Sequence, residues 1–128
     1  MVIDTSAIIA ILLDEPERRR FNEKIEADPA RLVSAASYVE SALVIESRLG
    51  EAGGREFDLF LHRAVIEVVP VDGDQAEIAR RAFRKYGRGR HRANLNFGDC
   101  FAYALGKATG EPLLFKGDDF GWTDILTA

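Results

Sequence analysis

The sequence predicts an α/β fold: three layers, α/β/α, around a central parallel sheet of four to five strands. Short apolar runs alternate with longer amphipathic stretches along all 128 residues. Strands separated by helices are βα units. Connections of helix length join parallel neighbours and leave both sheet faces covered. A chain this long makes one domain, taken here as residues 1–128, and needs no disulfides to hold its core.

The elements follow in order. Met1–Asp4 reads as a very short buried strand. Thr5–Leu13 is an apolar helix, ended by the Asp14-Glu15-Pro16 breaker. Pro16 suits the first turn of a second helix reaching about Ala27, before Asp28-Pro29. Arg31–Ser34 is the next strand. Ala35–Leu49 is a helix with Gly50 as its stop, Gly53-Gly54 a turn, and Arg55–Val65 another helix. Glu67–Val71 is β-branched and reads as a third strand. Asp72 or Asp74 caps a helix to about Tyr86. Gly87–Asn96 is a polar basic loop, made flexible by Gly87 and Gly89. Phe97–Thr109 is a helix stopped at Gly110, Pro112–Phe115 a fourth strand, and Ile125–Thr127 a short fifth. In such sheets ligands sit beyond the carboxyl ends of the strands, where the strand order reverses. Residues that end strands therefore carry the functional reading.

Composition narrows the classes. With 47% hydrophobic and 30% charged residues, the chain is neither disordered nor fibrous. A single cysteine, Cys100, excludes an internal disulfide and a cysteine-only zinc site. It fits a reducing compartment, most simply the cytoplasm. The longest apolar run, Ala7 to Leu13, is far short of the roughly 20 residues of a membrane span. The N-terminus has no basic region and places an acid at Asp4, against a secretory leader. No internal repeat, phosphate-cradling loop, dinucleotide fingerprint or nucleophile turn is present.

Three acids stand alone. Asp4 is the only charged side chain from Met1 through Leu13, Glu40 from Leu32 through Ile45, and Asp99 from Ala93 through Gly106. A carboxylate in an apolar segment costs several kcal/mol unless it is paired. Those segments hold almost no cations. If the three converge, mutual repulsion demands a multivalent ion, and oxygen ligands without His or Cys select Mg²⁺ or Mn²⁺. Each alone has a plainer reading: Asp4 opens a helix, and Asp99 lies in the first turn of one. Glu40 is mid-helix and is no cap. After the last long strand comes Lys116-Gly117-Asp118-Asp119-Phe120, whose plain reading is a solvated turn. Asp118 and Asp119 point to different sides of an extended chain, so one of them faces the site. Thr5 and Ser6 are candidates to orient the carboxylates, or are ordinary capping residues. Asn96, three residues before Asp99, orients a carboxylate or phosphate, or caps its helix.

The net charge of −4, from 17 basic and 21 acidic residues, gives no reason to expect nucleic acid. Its distribution does. Arg80, Arg81, Arg84, Lys85, Arg88, Arg90 and Arg92 lie within positions 80–92, uninterrupted by any acid. Phe83, Tyr86 and His91 are interleaved as stacking groups. Arginines grip phosphates through paired hydrogen bonds. Beside a carboxylate site suited to phosphoryl chemistry, this segment reads as a strand-tracking surface for nucleic acid, with Arg84, Lys85, Arg88, Arg90 and Arg92 as its contacts. Alone, it would be a solvated face. Cys100, His62, Trp122 and the helix-spaced leucines read as structural.

Val2-Ile3-Asp4-Thr5-Ser6-Ala7, Ser37-Tyr38-Val39-Glu40, Asn96-Phe97-Gly98-Asp99-Cys100 and Leu113 through Phe120 together resemble a PIN-domain ribonuclease, and more closely a VapC toxin of a bacterial toxin–antitoxin pair. The resemblance covers essentially the whole chain. It implies the PIN-like three-layer fold and RNA cleavage dependent on Mg²⁺ or Mn²⁺. It implies catalytic and metal roles for Asp4, Glu40 and Asp99, with the fourth acid from the Asp118-Asp119 pair, Asp119 being favoured. It further implies a homodimer, possible membership of a larger toxin–antitoxin assembly, and a cognate VapB-like antitoxin. Two other classes stay open. One is a Mg²⁺-dependent phosphatase with Asp4 as nucleophile, disfavoured by the lack of a second Asp two residues on and of a conspicuous strand-end lysine. The other is a non-catalytic RNA-binding or partner-binding module.

Overall fold

The structure, a computed structural model, describes residues 1–128. Four short parallel strands form the sheet: β1 (Val2–Ile3), β2 (Leu32–Ser34), β3 (Glu67–Val69) and β4 (Leu113–Leu114), in the order β3-β2-β1-β4. Val2 is in register with Leu32 on one side and Leu113 on the other. The strands alternate with period two, as a sheet buried on both faces requires. Val2 and Leu113 enter one core cluster with residues such as Ala79, Ala82 and Leu105. Ile3, Val33 and Leu114 enter the other with Ile8, Phe21 and Phe57. Helices α4 (Gly73–Tyr86) and α5 (Phe97–Thr109) supply the first face. Helices α1 (Thr5–Leu12), α2 (Arg18–Ala27) and α3 (Ala35–Arg63) supply the second. This is the expected three-layer α/β/α fold.

Side-chain caps start most of the helices. Asp4, Ser34, Asp72 and Asn96 accept from backbone N–H groups in the first turns of α1, α3, α4 and α5. Of the two candidates before α4, Asp72 is the cap, accepting from Gln75 N at 2.8 Å.

Three boundaries differ from expectation. The helix expected to stop at Gly50 does break there, with φ 66° and ψ −159°, but no turn follows at Gly53-Gly54, so α3 runs kinked from Ala35 to Arg63. Helix resumes at once because Gly53 is a close-packing residue: a Cβ there would stand 2.5 Å from Leu49 Cβ and 3.0 Å from Ile45 Cγ2. Strand β3 ends at Val69, one residue before Pro70, which has no N–H for the ladder. The fifth strand reduces to one bridge, Leu113 to Thr127.

Candidate active site

The chain runs outward from β1 to β2 to β3 and then returns to place β4 on the far side of β1. The order therefore reverses between β1 and β4, the position where open parallel sheets bind ligands. Asp4 follows β1 there, and its N–H still donates to Leu114 O at 2.9 Å. The residues after β4 lead to a 3₁₀ turn, Asp119–Trp122.

Asp4 is 3% exposed. Its Oδ2 accepts from Ser6 N at 2.9 Å and from Ser6 Oγ at 2.6 Å. Ser6 Oγ in turn accepts from Lys116 N at 2.9 Å, which ties the segment after β4 to the Asp4 carboxylate. Burial nevertheless pushes the Asp4 carboxyl up to about 6, and the negative charges of Asp99 and Glu40 add to the effect. Asp99, half-buried, is also raised, first by burial and then by Asp119 and Glu40. Four acids from four segments thus act on one another.

The local structure shows how each is held. Asp99 forms a capping box with Asn96: Asn96 Oδ1 accepts from Asp99 N at 2.9 Å, and Asp99 Oδ2 accepts from Asn96 N at 3.0 Å. The Asn96 side chain is thus a cap, and it is the Asn96 backbone N–H that holds the Asp99 carboxylate. Glu40 lies in the second turn of α3 and reaches α5 at Gly98, where a Cβ would overlap its carboxylate. Gly98 was not singled out from the sequence, although a glycine inside a helix next to a lone acid was a readable signal. Thr5 does not face the carboxylates; its Oγ1 donates to Ser37 O at 3.4 Å and links α1 to α3. Asp118 and Asp119 are both exposed. It is Asp119 whose charge bears on Asp99.

No lysine, arginine or histidine forms an ion pair with Asp4, Glu40, Asp99 or Asp119. Lys116 does follow a strand, but its Nζ is 3.3 Å from both Glu15 and Glu17. Ser6 stands where a phosphatase would carry its second Asp. An all-oxygen set around a buried, unneutralised carboxylate fits a hard divalent cation. No three acids stand close enough to form a ready-made cage. Burial and Asp99 push the Cys100 thiol up to about 11, so it stays protonated and is no nucleophile.

All seven basic residues of positions 80–92 are exposed, and none forms an ion pair. Arg84 and Lys85 lie in the last turn of α4, Lys85 over the Tyr86 ring at 5.0 Å. Arg90 lies 5.7 Å from the Phe83 ring. Arg92 alone contacts the turn that carries Asp119: its Cζ is 3.9 Å from the Trp122 ring centroid. The loop is anchored in the core: Ala93 and Leu95 are fully buried, and Gly87 bridges Leu95. Trp122, expected in the core, is half-exposed, as are Leu43 and Leu49.

The fold and the sequence that place a buried acid at the switch point of a four-stranded parallel sheet have counterparts among known proteins. The model of the PIN domain family matches residues 1–125, and the chain belongs to that family. Within it, the chain falls among the VapC toxins. It is 63% identical to Ribonuclease VapC30 of Mycobacterium tuberculosis, over 99% of this chain and 97% of that one. It is 61% identical to Ribonuclease VapC of Mycolicibacterium smegmatis, over 98% and 97%. The fold matches Mycobacterium tuberculosis VapC20, a sarcin-ricin loop cleaving toxin, with TM-score 0.79 at 16% identity over 99% and 97% of the two chains. It also matches a toxin–antitoxin complex from Klebsiella pneumoniae, with TM-score 0.73 at 17% identity over 99% and 95%.

Proposed function

We propose that this chain is a metal-dependent endoribonuclease toxin that acts in the cytoplasm and hydrolyses phosphodiester bonds in RNA. The observation that carries the reading is the buried Asp4 carboxylate at the strand-order reversal, raised to about 6 and surrounded by acids with no protein cation to neutralise them. Asp4 and Asp99 would hold Mg²⁺ or Mn²⁺, with Glu40 and Asp119 completing the set directly or through water. When bound, such an ion supplies positive charge against the scissile phosphate and makes water a stronger acid. Ser6 fixes the Asp4 carboxylate, the Asn96 backbone N–H fixes that of Asp99, and Gly98 leaves room for that of Glu40. With no histidine among these residues, proton transfer falls to a carboxylate or to solvent. Arg84, Lys85, Arg88, Arg90 and Arg92 hold the strand by its phosphates.

The reading includes a VapB-like antitoxin and a homodimer, within a larger toxin–antitoxin assembly. Support for the antitoxin comes from the relatives and from a groove of about 660 Å³ between α1, α2 and α3. Ile11, Leu49 and Leu59 line that groove together with Arg18, Arg63 and Glu56. No helix is long and apolar enough to cross a membrane.

The test is to map new RNA ends after brief expression of the chain, beside the Asp4→Asn variant. The expected outcome is a discrete set of cleaved ends that disappears in the variant while its fold persists. The same ends produced by folded Asp4→Asn protein would overturn the assignment.

A further inference from the structure

Trp122 is the only tryptophan of the chain and is 47% exposed. It closes the 3₁₀ turn that Asp119 opens. In a 3₁₀ helix side chains at i and i+3 eclipse, so Trp122 and Asp119 share a face, roughly 6 Å apart along the axis. The turn is firmly seated. Phe120 is buried with its ring 5.2 Å from that of Phe115, and Thr123 Oγ1 donates to Phe120 O at 2.7 Å. The indole is therefore held out toward solvent by a turn whose next side chain is locked inward.

Arg92 arrives on the indole from the opposite direction. Its loop is pinned on either side: Ala93 N donates to His91 Nδ1 at 3.0 Å, Arg88 N donates to Leu95 O at 2.9 Å, and the His91 ring meets Tyr86 edge-on at 5.1 Å. The guanidinium has no carboxylate partner and makes no hydrogen bond to the protein. Its N–H donors are free while its plane rests on a half-exposed aromatic ring. A half-exposed ring and a guanidinium with no carboxylate partner, side by side on the turn of a candidate catalytic acid, offer a stacking face and a phosphate donor together.

We propose that Trp122 and Arg92 form a base clamp: one unpaired nucleobase next to the scissile phosphodiester stacks on the Trp122 indole, and the Arg92 guanidinium takes the adjoining phosphate. The inference rests on the ribonuclease reading and adds to it two residues, Trp122 and Arg92, that seat the strand beside the cut. Stacking needs an open base face, which a paired and stacked base does not offer.

As the sole tryptophan, Trp122 reports on its own occupancy. The full chain carrying Asp99→Asn is titrated with a 12-nucleotide single-stranded RNA of mixed sequence, with the same RNA annealed to its complement, and with inorganic polyphosphate. Fluorescence and the anisotropy of a labelled copy of the RNA are read together. The single strand quenches the tryptophan emission in parallel with the anisotropy, and polyphosphate leaves it unchanged. The duplex binds without quenching. Trp122→Ala in the same background binds the single strand about ten-fold more weakly, Trp122→Phe restores most of the loss, and thermal melting shows that both fold. Emission that stays constant while anisotropy saturates, or Trp122→Ala binding within two-fold of its parent, overturns the clamp. If the unsubstituted chain also cleaves this RNA with Mg²⁺, the ribonuclease reading survives that result. If it neither cleaves nor binds RNA, both fall together.

Discussion

Asp4 shows how one residue trades stability for chemistry. Its folded carboxyl is raised from 3.8 to about 6, so the folded chain keeps a proton that the unfolded chain releases. Stability from this group is complete below about pH 4 and is lost as pH rises through about 6. Above that pH the metal-free protein carries a destabilising buried charge. Asp4→Asn removes the charge and keeps an oxygen to accept from Ser6. In chelator at pH 7.5 the variant is therefore more stable than the parent, by up to about 3 kcal/mol, read as a higher Tm. The advantage vanishes at pH 4, and a lower Tm for the variant at pH 7.5 would contradict the account. The lone acids were legible in the sequence because each stood alone in an apolar segment. Thr5 was misplaced, because adjacency to Asp4 does not reveal that its hydroxyl points to α3.

At the level of elements, patterning and caps carried most of the fold. Asp72, Asn96 and Gly110 mark their helix ends in both sequence and structure. Within α3 the break at Gly50 was legible and the expected turn at Gly53-Gly54 was not there, because Gly-Gly can signal either a turn or close helix packing, and only the neighbouring Leu49 and Ile45 decide. A second irregularity lies after α3, where Val65 adopts φ 52° while 76% exposed. A β-branched residue in this left-handed region is strained. Val65→Gly is expected to relieve about 1 kcal/mol and raise Tm by about 4 °C, checked by thermal melting. An unchanged or lower Tm would show that Val65 packing outweighs the strain. The charge of the basic loop was legible, but its anchors in the core, Ala93 and Leu95, look unremarkable in sequence.

Across the whole molecule, the net charge of −4 hides two opposite fields: an uninterrupted basic segment, and acids around the strand-order reversal. If the basic segment tracks RNA, Arg88→Gln, Arg90→Gln and Arg92→Gln together should weaken binding and flatten its salt dependence by about two units of log–log slope. Anisotropy titrations at several salt concentrations check this, and an unchanged slope would place the RNA elsewhere. The fold class followed from the alternation of strands and helices, whereas the strand order came only with the structure. The meeting of Arg92 with Trp122 did not, because it joins positions 30 residues apart through two turns that no periodicity describes. The central claim is that the carboxylates at the end of β1 hold a divalent ion that cleaves RNA. The most direct measurement is RNA cleavage by the purified chain with added Mg²⁺, with chelator, and with Asp99→Asn in place of the parent. The account predicts cleavage only by the parent with Mg²⁺, restored after chelation by Mg²⁺ or Mn²⁺. Undiminished cleavage in chelator, or by the folded variant, would contradict it.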